Sequence, residues 1–403
     1  MTFDELRAAE ARYHMGVYGR QPIAFVRGEG MYLWDDDDHR YLDFVAGIAV
    51  VGVGHSHPKV VAAVREQAGL LTHVSNLYYT VPQVTLAERL HELLGWGKVF
   101  FSNSGAEANE CAMKLARKWQ REQGRSGRTG VVAASGSFHG RTVATLATTG
   151  QPHKHEPFAP LPPELVHHVP LNDIPALENA LDDGIGALLL EVVQGEGGIN
   201  LATAEYLAAA RKLCDERDAL LIFDEVQTGL GRTGRWFGFE HAGVVPDVVT
   251  LAKALGGGLP IGACIAREEV ADAFKPGDHA TTFGGGPVPC AAALAVLDVI
   301  ENEKLVENSA AMGERLVAAL HAALDGNPAV REIRGLGLLV GVQLAGEWSR
   351  EIVDACRDEG QLLVNNVQPD TVRLSPPLIV GPEDIDTAVT ILAAELDELR
   401  ERL

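Results

Sequence analysis

Two kinds of hydrophobic patterning divide the chain. From about residue 98 onward, short apolar runs alternate with stretches of helical period. The runs are KVFFSNS, VVAAS, HHVPL, ALLLEVV, ALLIFDEV, VVTLAK and ACIA, and the helical stretches include AEANECAMKLARKWQREQ and TAEYLAAARKLCDERD. Apolar runs with no polar face suit strands covered on both sides, and their alternation with helices predicts a large, mainly parallel sheet of about seven strands. Residues 23–44 differ: apolar and polar positions alternate around Gly28–Gly30 and Asp35–Asp38, which predicts a small antiparallel meander with two turns. After Pro287 come the helical run CAAALAVLDVIENEKL and another from Asn308 to Leu324. REIRGLGLLVGVQL, QLLVNN and TVRLSPPLIV follow, with a final helix from Pro382. Strands and helices grouped in this way predict a second, smaller α+β domain. The expected division is an N-terminal segment over 1–55 packing with the small domain, a large α/β domain over 56–290, and a small domain over 291–403.

Composition narrows the function classes. The 403 residues allow two or three domains. The formal net charge of −21 argues against a nucleic-acid partner, because phosphate backbones need a basic face. Anionic substrates would need local arginines set against that global field. The five cysteines, Cys111, Cys214, Cys264, Cys290 and Cys356, are scattered and odd in number, which suits reduced thiols in a cytosol rather than a disulfide framework or a zinc site. The stretch MTFDELRAAEARYH has acids and no apolar core, so it does not read as a signal peptide. No run approaches the ~20 apolar residues of a membrane span. The expectation is a cytoplasmic protein with no membrane partner. Asp35–Asp38 beside His39, and His55 and His57 in GHSHP, read as a hairpin turn and the end of a loop, so no metal site is expected.

The densest chemistry lies between Leu220 and Gly262. LLIFDEVQTGLGRTG ends a buried strand near Asp224 and Gln227, and VVTLAKALGGGLPIG ends another at Lys253 before a glycine run. The carboxyl edge of an open parallel sheet is where ligands sit. A lysine buried near positive groups is partly neutral and nucleophilic. An acid beside it suits a pyridinium nitrogen. The expectation is that Lys253 forms a Schiff base with pyridoxal phosphate (PLP), that Asp224 holds the ring nitrogen protonated, and that Gln227 bonds the phenolic oxygen. The plainer alternatives are a solvated lysine and a helix-capping aspartate. Gly229, Gly231 and Gly234 also spell a dinucleotide-binding fingerprint, which keeps an NAD-dependent dehydrogenase as a remote alternative. That motif should open a helix, with an acid ending the next strand roughly 20 residues on. Here the glycines run into RWFGFEHAG, and Asp247 begins the next strand.

Other candidates also follow strands. In SNSGAEAN, Ser104, Gly105 and Ala106 open a helix whose free N–H groups suit a phosphate, though the same stretch is also an ordinary helix cap. Thr281 and Thr282 in HATTFGGGP offer a second phosphate position. In SGSFHGR, Phe138 suits stacking on a planar ring and Arg141 a bidentate carboxylate clamp; a core phenylalanine and a surface arginine are the alternatives. Glu196 in VVQGEGG and Arg373 in VRLSPPL are candidate partners, because an arginine in an apolar run needs pairing.

In this order SNSGAEAN, SFHGR, VVQGEGG, FDEVQTGLGRTG, TLAKALGGGLPIG, TTFGGGP and VRLSPP resemble the class III PLP-dependent aminotransferases of fold type I, over nearly the whole chain, and most closely the acetylornithine aminotransferase group. The resemblance implies an α/β fold type I architecture, with Lys253 as the Schiff-base lysine and Asp224 as the pyridinium partner. It implies cofactor contacts from Gly105, Ala106, Phe138 and Gln227, and from Thr282 across a homodimer with shared active sites. Arg141 would bind substrate carboxylate with Thr281 nearby, and Glu196 and Arg373 would form an exchangeable pair. One departure is Gly286, where the family commonly has asparagine. Ornithine aminotransferases carry a tyrosine where Ile48 stands here, and its loss suits a donor whose α-amine is acylated. The implied reaction moves the terminal amine of N2-acetyl-L-ornithine to 2-oxoglutarate, giving N-acetyl-L-glutamate 5-semialdehyde and L-glutamate in arginine biosynthesis. Alternatives on the same scaffold are an ornithine, acetyllysine-type or succinyl-diamine aminotransferase, an aminomutase or racemase, or a protein that only binds the cofactor.

Overall fold

The computed structural model describes residues 2–162 and 166–402. The meander forms from β1 (Phe25–Glu29), β2 (Tyr32–Asp35) and β3 (Arg40–Asp43), all antiparallel. Asp35 is buried and accepts hydrogen bonds from the backbone N–H groups of Asp37 and His39 and from the Tyr41 hydroxyl. His55 Nε2 meets Asp43 Oδ2 at 2.7 Å just before the helix Pro58–Leu70.

The large sheet follows the apolar runs strand for strand: β4 (Lys98–Ser102), β5 (Gly130–Ala134), β6 (Val166–Val169) and β7 (Ile185–Leu190). A two-stranded ribbon of β8 (Val193–Gln194) and β9 (Asn200–Leu201) interrupts it. It resumes with β10 (Leu220–Asp224), β11 (Val248–Leu251) and β12 (Gly262–Ala266). The spatial order is β4-β12-β11-β10-β7-β5-β6. Pairing is parallel from β11 to β6, and β12 runs antiparallel to both of its neighbours.

Both faces of this sheet are covered, which explains the unbroken apolar runs. In β10, Leu220 and Ile222 join the core cluster beneath the helix Gly105–Glu122, whereas Leu221 and Phe223 join the larger cluster on the other face. The helix Gly105–Glu122 lays Ala108, Cys111, Ala112, Leu115 and Ala116 on the sheet, a stripe of helical period. The Thr203 side chain caps the helix Ala204–Glu216, which buries Leu207, Ala210 and Cys214 against the opposite face.

The remaining strands are β13 (Val330–Leu336), β14 (Leu339–Leu344), β15 (Leu362–Leu363), β16 (Asn365–Gln368) and β17 (Thr371–Leu374). The run REIRGLGLLVGVQL is a hairpin, with Gly337 at φ +56° in its turn. The antiparallel order is β13-β14-β17-β16. QLLVNN is divided between two sheets: β16 joins this one, while β15 pairs in parallel with β3 of the meander. The helices Leu305–Leu324 and Ser349–Asp358 pack on these strands and Pro382–Arg402 packs on both helices, whereas Pro287–Asn302 packs mainly on the helices Pro58–Leu70 and Val81–Leu94.

Candidate active site

The sheet register brings the acid and the lysine to one edge. Asp224 ends β10 and pairs with Thr250 on β11, so Lys253, three residues further, leaves the sheet at the same end. Lys253 has φ +40°, a left-handed conformation that a non-glycine residue adopts only where its surroundings impose it. A cavity of about 440 Å³ opens here, lined by Gly105, Ala106, Phe138, Arg141, Glu196 and Lys253 among others. Asp224, Gln227 and Ser104 line it as well.

The acid on the floor is held by several partners. Asp224 Oδ2 accepts from Asn109 Nδ2 at 2.7 Å and meets His139 Nδ1 at 2.8 Å, and its Oδ1 accepts from the Val226 N–H at 3.1 Å. Asn109 also donates to the His139 carbonyl and accepts from the Thr250 hydroxyl at 2.7 Å. His139 Nε2 is buried with no partner in the chain. Glu191, at the end of β7, accepts from the Phe138 N–H at 2.9 Å. Burial, with Asp224 adding to it, pushes the Glu191 carboxyl up to about 7. Burial lowers the Lys253 amine below the ordinary lysine value; Glu196 opposes that shift and Arg373 adds to it.

One end of the cavity is a cradle. Ser104 caps the helix Gly105–Glu122, with its hydroxyl occupied by the N–H and carboxylate of Glu107. The next two N–H groups, of Gly105 and Ala106, have no partner within the helix, as its geometry dictates. A side chain at Gly105 would press on Val226, its Cβ lying 2.9 Å from both methyls.

Across the cavity, Arg373 on β17 is fully buried. Its Nη1 donates to Glu196 Oε1 at 2.6 Å, to the Gly195 carbonyl at 2.9 Å and to Gln227 Oε1 at 3.1 Å, and its Nε donates to Asn365 Oδ1. Arg373 Nη2 is buried without a partner. Burial raises the Glu196 carboxyl, but Arg373 and Lys253 outweigh it and hold the group below the usual range. Gly195 makes this approach possible, because a Cβ there would lie 1.9 Å from Gln227 Oε1.

Thr281 and Thr282 are not part of this cavity. The Thr281 hydroxyl accepts from Asn103 Nδ2 at 3.2 Å, at the cavity's edge. Thr282 is exposed and lines a separate cleft with His73, Asn76 and Gly284. Asn109, His139 and Glu191 had no assigned part in the sequence reading. Each had a signal: Asn109 lies inside SNSGAEAN, His139 follows Phe138, and Glu191 is an acid directly after an apolar strand. The Gly229–Gly234 run opens no helix. The N–H groups of Leu230 and Gly231 donate to the Trp236 carbonyl, closing the loop on itself, and a short 3-10 turn, Gly238–His241, follows.

The residues present fit PLP: an amine of lowered basicity, a clamped acid, a ring that can stack, and unpaired N–H groups at a helix start. Fold and site define a transferase of the fold type I kind, built around the Lys253 amine. The chain belongs to the class III aminotransferases, whose family model, "Aminotransferase class-III", matches residues 15–396. It is 51% identical over 391 residues to an acetylornithine aminotransferase of Caldanaerobacter subterraneus, covering 97% of this chain and 99% of the relative. It is 48% identical over 396 residues to one from Methanocaldococcus jannaschii, covering 97% and 98%. Among solved structures, the ornithine aminotransferase of Toxoplasma gondii superposes with a TM-score of 0.95 at 33% identity, covering 100% of this chain and 97% of that one. These findings displace the NAD-dependent dehydrogenase.

Proposed function

We propose that this enzyme uses PLP to move the terminal amine of N2-acetyl-L-ornithine to 2-oxoglutarate, giving N-acetyl-L-glutamate 5-semialdehyde and L-glutamate, a cytoplasmic step of arginine biosynthesis. The relatives near half identity over almost their whole length support the donor. The observation that carries the two-substrate reading is the 2.6 Å bond between Glu196 and Arg373 beside Lys253. Ile48, on the turn Ala46–Ala49 next to the cavity residue Val50, presents no hydroxyl to a free α-amine.

PLP, when bound, supplies an aldehyde that condenses with amines and a ring that accepts the electron pair released at the reacting carbon. The chain's residues do the rest. Gly105 and Ala106 offer N–H groups to the phosphate, and Ser104 orients them. Phe138 would stack on the ring, and Gln227 would bond its phenolic oxygen. Asp224, clamped by Asn109 and His139, would present its carboxylate to the ring nitrogen. Lys253 Nζ would be the group that takes up and returns the proton at the donor's terminal carbon. With acetylornithine, Glu196 neutralises Arg373. With glutamate, Glu196 moves aside and Arg373 takes the carboxylate next to the reacting carbon. Arg141 takes the far carboxylate of either substrate, with Thr281 at the edge of its slot.

Thr282 would reach the phosphate bound by a second copy in a homodimer. Phe283, Leu77, Tyr78 and Tyr79 are exposed on the same side, an apolar surface that a partner copy covers. We divide the chain into a segment 1–55, a large domain 56–290 and a small domain 291–403; the pairing of β15 with β3 supports packing of the first against the last.

The test is a panel of amino donors in single-turnover half-reactions, read by loss of the cofactor's visible absorbance. Acetylornithine and glutamate should react efficiently. A faster reaction with free ornithine than with acetylornithine would refute the proposed donor.

A further inference from the structure

Beside the cavity stands a cation that the proposed chemistry does not use. Lys154, half-buried in the short helix Pro152–His155, places Nζ 5.9 Å from the centre of the Phe138 ring. Arg141 places Cζ 5.6 Å from the same ring. Two positive groups therefore lie within 5.9 Å of the centre of the Phe138 ring; Arg141 lines the cavity and Lys154 stands behind that lining.

Neither of them meets an acid. The Lys154 ammonium donates to Gln151 Oε1 and approaches His153 Nε2 at 3.4 Å. His153 is itself held below its usual basicity by burial, Lys154 and Arg141. Arg141 makes no hydrogen bond or ion pair among the described residues. The acid that acts on Lys154 is Glu196, and Glu196 is engaged by Arg373 at 2.6 Å. The lysine is nonetheless firmly placed. Gln151 is buried and donates to the carbonyls of Ser137 and Gly136, which ties Lys154 to the loop that carries Phe138. Burial and the Arg141 charge both lower the basicity of Lys154, a cost that an incoming anion offsets.

We propose that Lys154 is a substrate-binding residue that forms, with Arg141, a two-cation slot for the carboxylate that each substrate carries far from its reacting carbon. This rests on the aminotransferase reading above. In acetylornithine the slot takes the carboxylate at the end opposite the terminal amine; in glutamate it takes the side-chain carboxylate. One carboxylate oxygen then faces Lys154 while Arg141 holds the other.

The experiment compares wild-type, Lys154→Met and Lys154→Arg holoenzymes in single-turnover half-reactions. The donors are N-acetylornithine, glutamate and N-acetylputrescine, which keeps the terminal amine and the amide but lacks the carboxylate. In Lys154→Met the apparent Kd for both carboxylate-bearing donors should rise on the order of tenfold, with the saturating rate retained. The Kd for N-acetylputrescine should be unchanged, and Lys154→Arg should recover most of the loss. An equal loss with N-acetylputrescine would overturn the proposal by showing a purely structural role. A loss confined to glutamate would overturn it too, making Lys154 the partner of a displaced Glu196. Failure of the wild type with acetylornithine would strike the proposed donor alone, because the glutamate arm still tests the slot.

Discussion

The floor and the rim of the cavity are built in opposite ways. On the floor, Asp224 is 4% exposed, both its oxygens are engaged, and its partner Asn109 is anchored in turn by Thr250. On the rim, the Glu196 side chain is 26% exposed and pairs with Arg373, whose Nη2 is left without a partner. Arg141 is exposed and unpaired among the described residues. A group that must keep one charge state through a reaction is clamped by several donors, which resists both protonation and movement. Glu196, which on the reading proposed above changes partners between substrates, has a single strong side-chain bond and access to solvent. The two constructions predict different responses to mutation.

The largest effect falls on the floor. Lys253→Ala should leave the fold intact, abolish the borohydride-reducible link to PLP and lower the rate by on the order of 10³-fold or more. Mass spectrometry of the reduced protein checks this; cofactor fixed to the mutant chain would identify another lysine as the anchor. Mixing Lys253→Ala chains with Thr282→Ala chains should restore activity to a minority of sites, because one of the two sites in a heterodimer carries neither lesion. No recovery in proven heterodimers would place Thr282 outside the shared site.

On the rim the effects are smaller and asymmetric. Glu196→Ala frees Arg373 permanently, so the glutamate half-reaction should survive or quicken. The acetylornithine half-reaction should slow roughly tenfold, equivalent to about 1.4 kcal/mol. Equal losses in the two half-reactions, measured as single-turnover rates, would remove the contrast between rim and floor.

Away from the substrate, Glu225 extends the clamped pattern. It is buried and accepts from the Thr228 hydroxyl and the N–H groups of Gly238 and Phe239. Burial pushes its carboxyl from an ordinary value of 4.5 up to about 7. Between those values the native state binds more protons than the unfolded one, so this contribution to stability falls as pH rises through the window. Urea midpoints taken across that range should show a shallower fall for Glu225→Gln than for wild type. The smallest effect is at Gly286, the N-cap of the helix Pro287–Asn302, with extended ψ and no side-chain cap. Gly286→Asn supplies the missing acceptor and should add roughly 0.3 kcal/mol, read as a small rise in Tm. A loss instead would show that the new Cβ, 3.2 Å from the Phe283 carbonyl, is not accommodated.

Local pattern determined much of this protein. The seven strands of the large sheet, the helix that opens at Gly105, and the placement of Asp224 and Lys253 at strand ends all follow from residues within about ten positions of one another. Apolar period, capping residues and glycines act over that range, so the chain records them directly. What the tertiary structure decided lies beyond it. The antiparallel insertion of β12, the division of QLLVNN between two sheets, and the bonds from Asn109 and His139 to Asp224 join residues far apart in sequence. Arg373 reaches Glu196 only because β17 packs beside the loop after β8. A side chain's partner across the fold is set by the packing of whole elements, and no single stretch of sequence contains both members of such a pair.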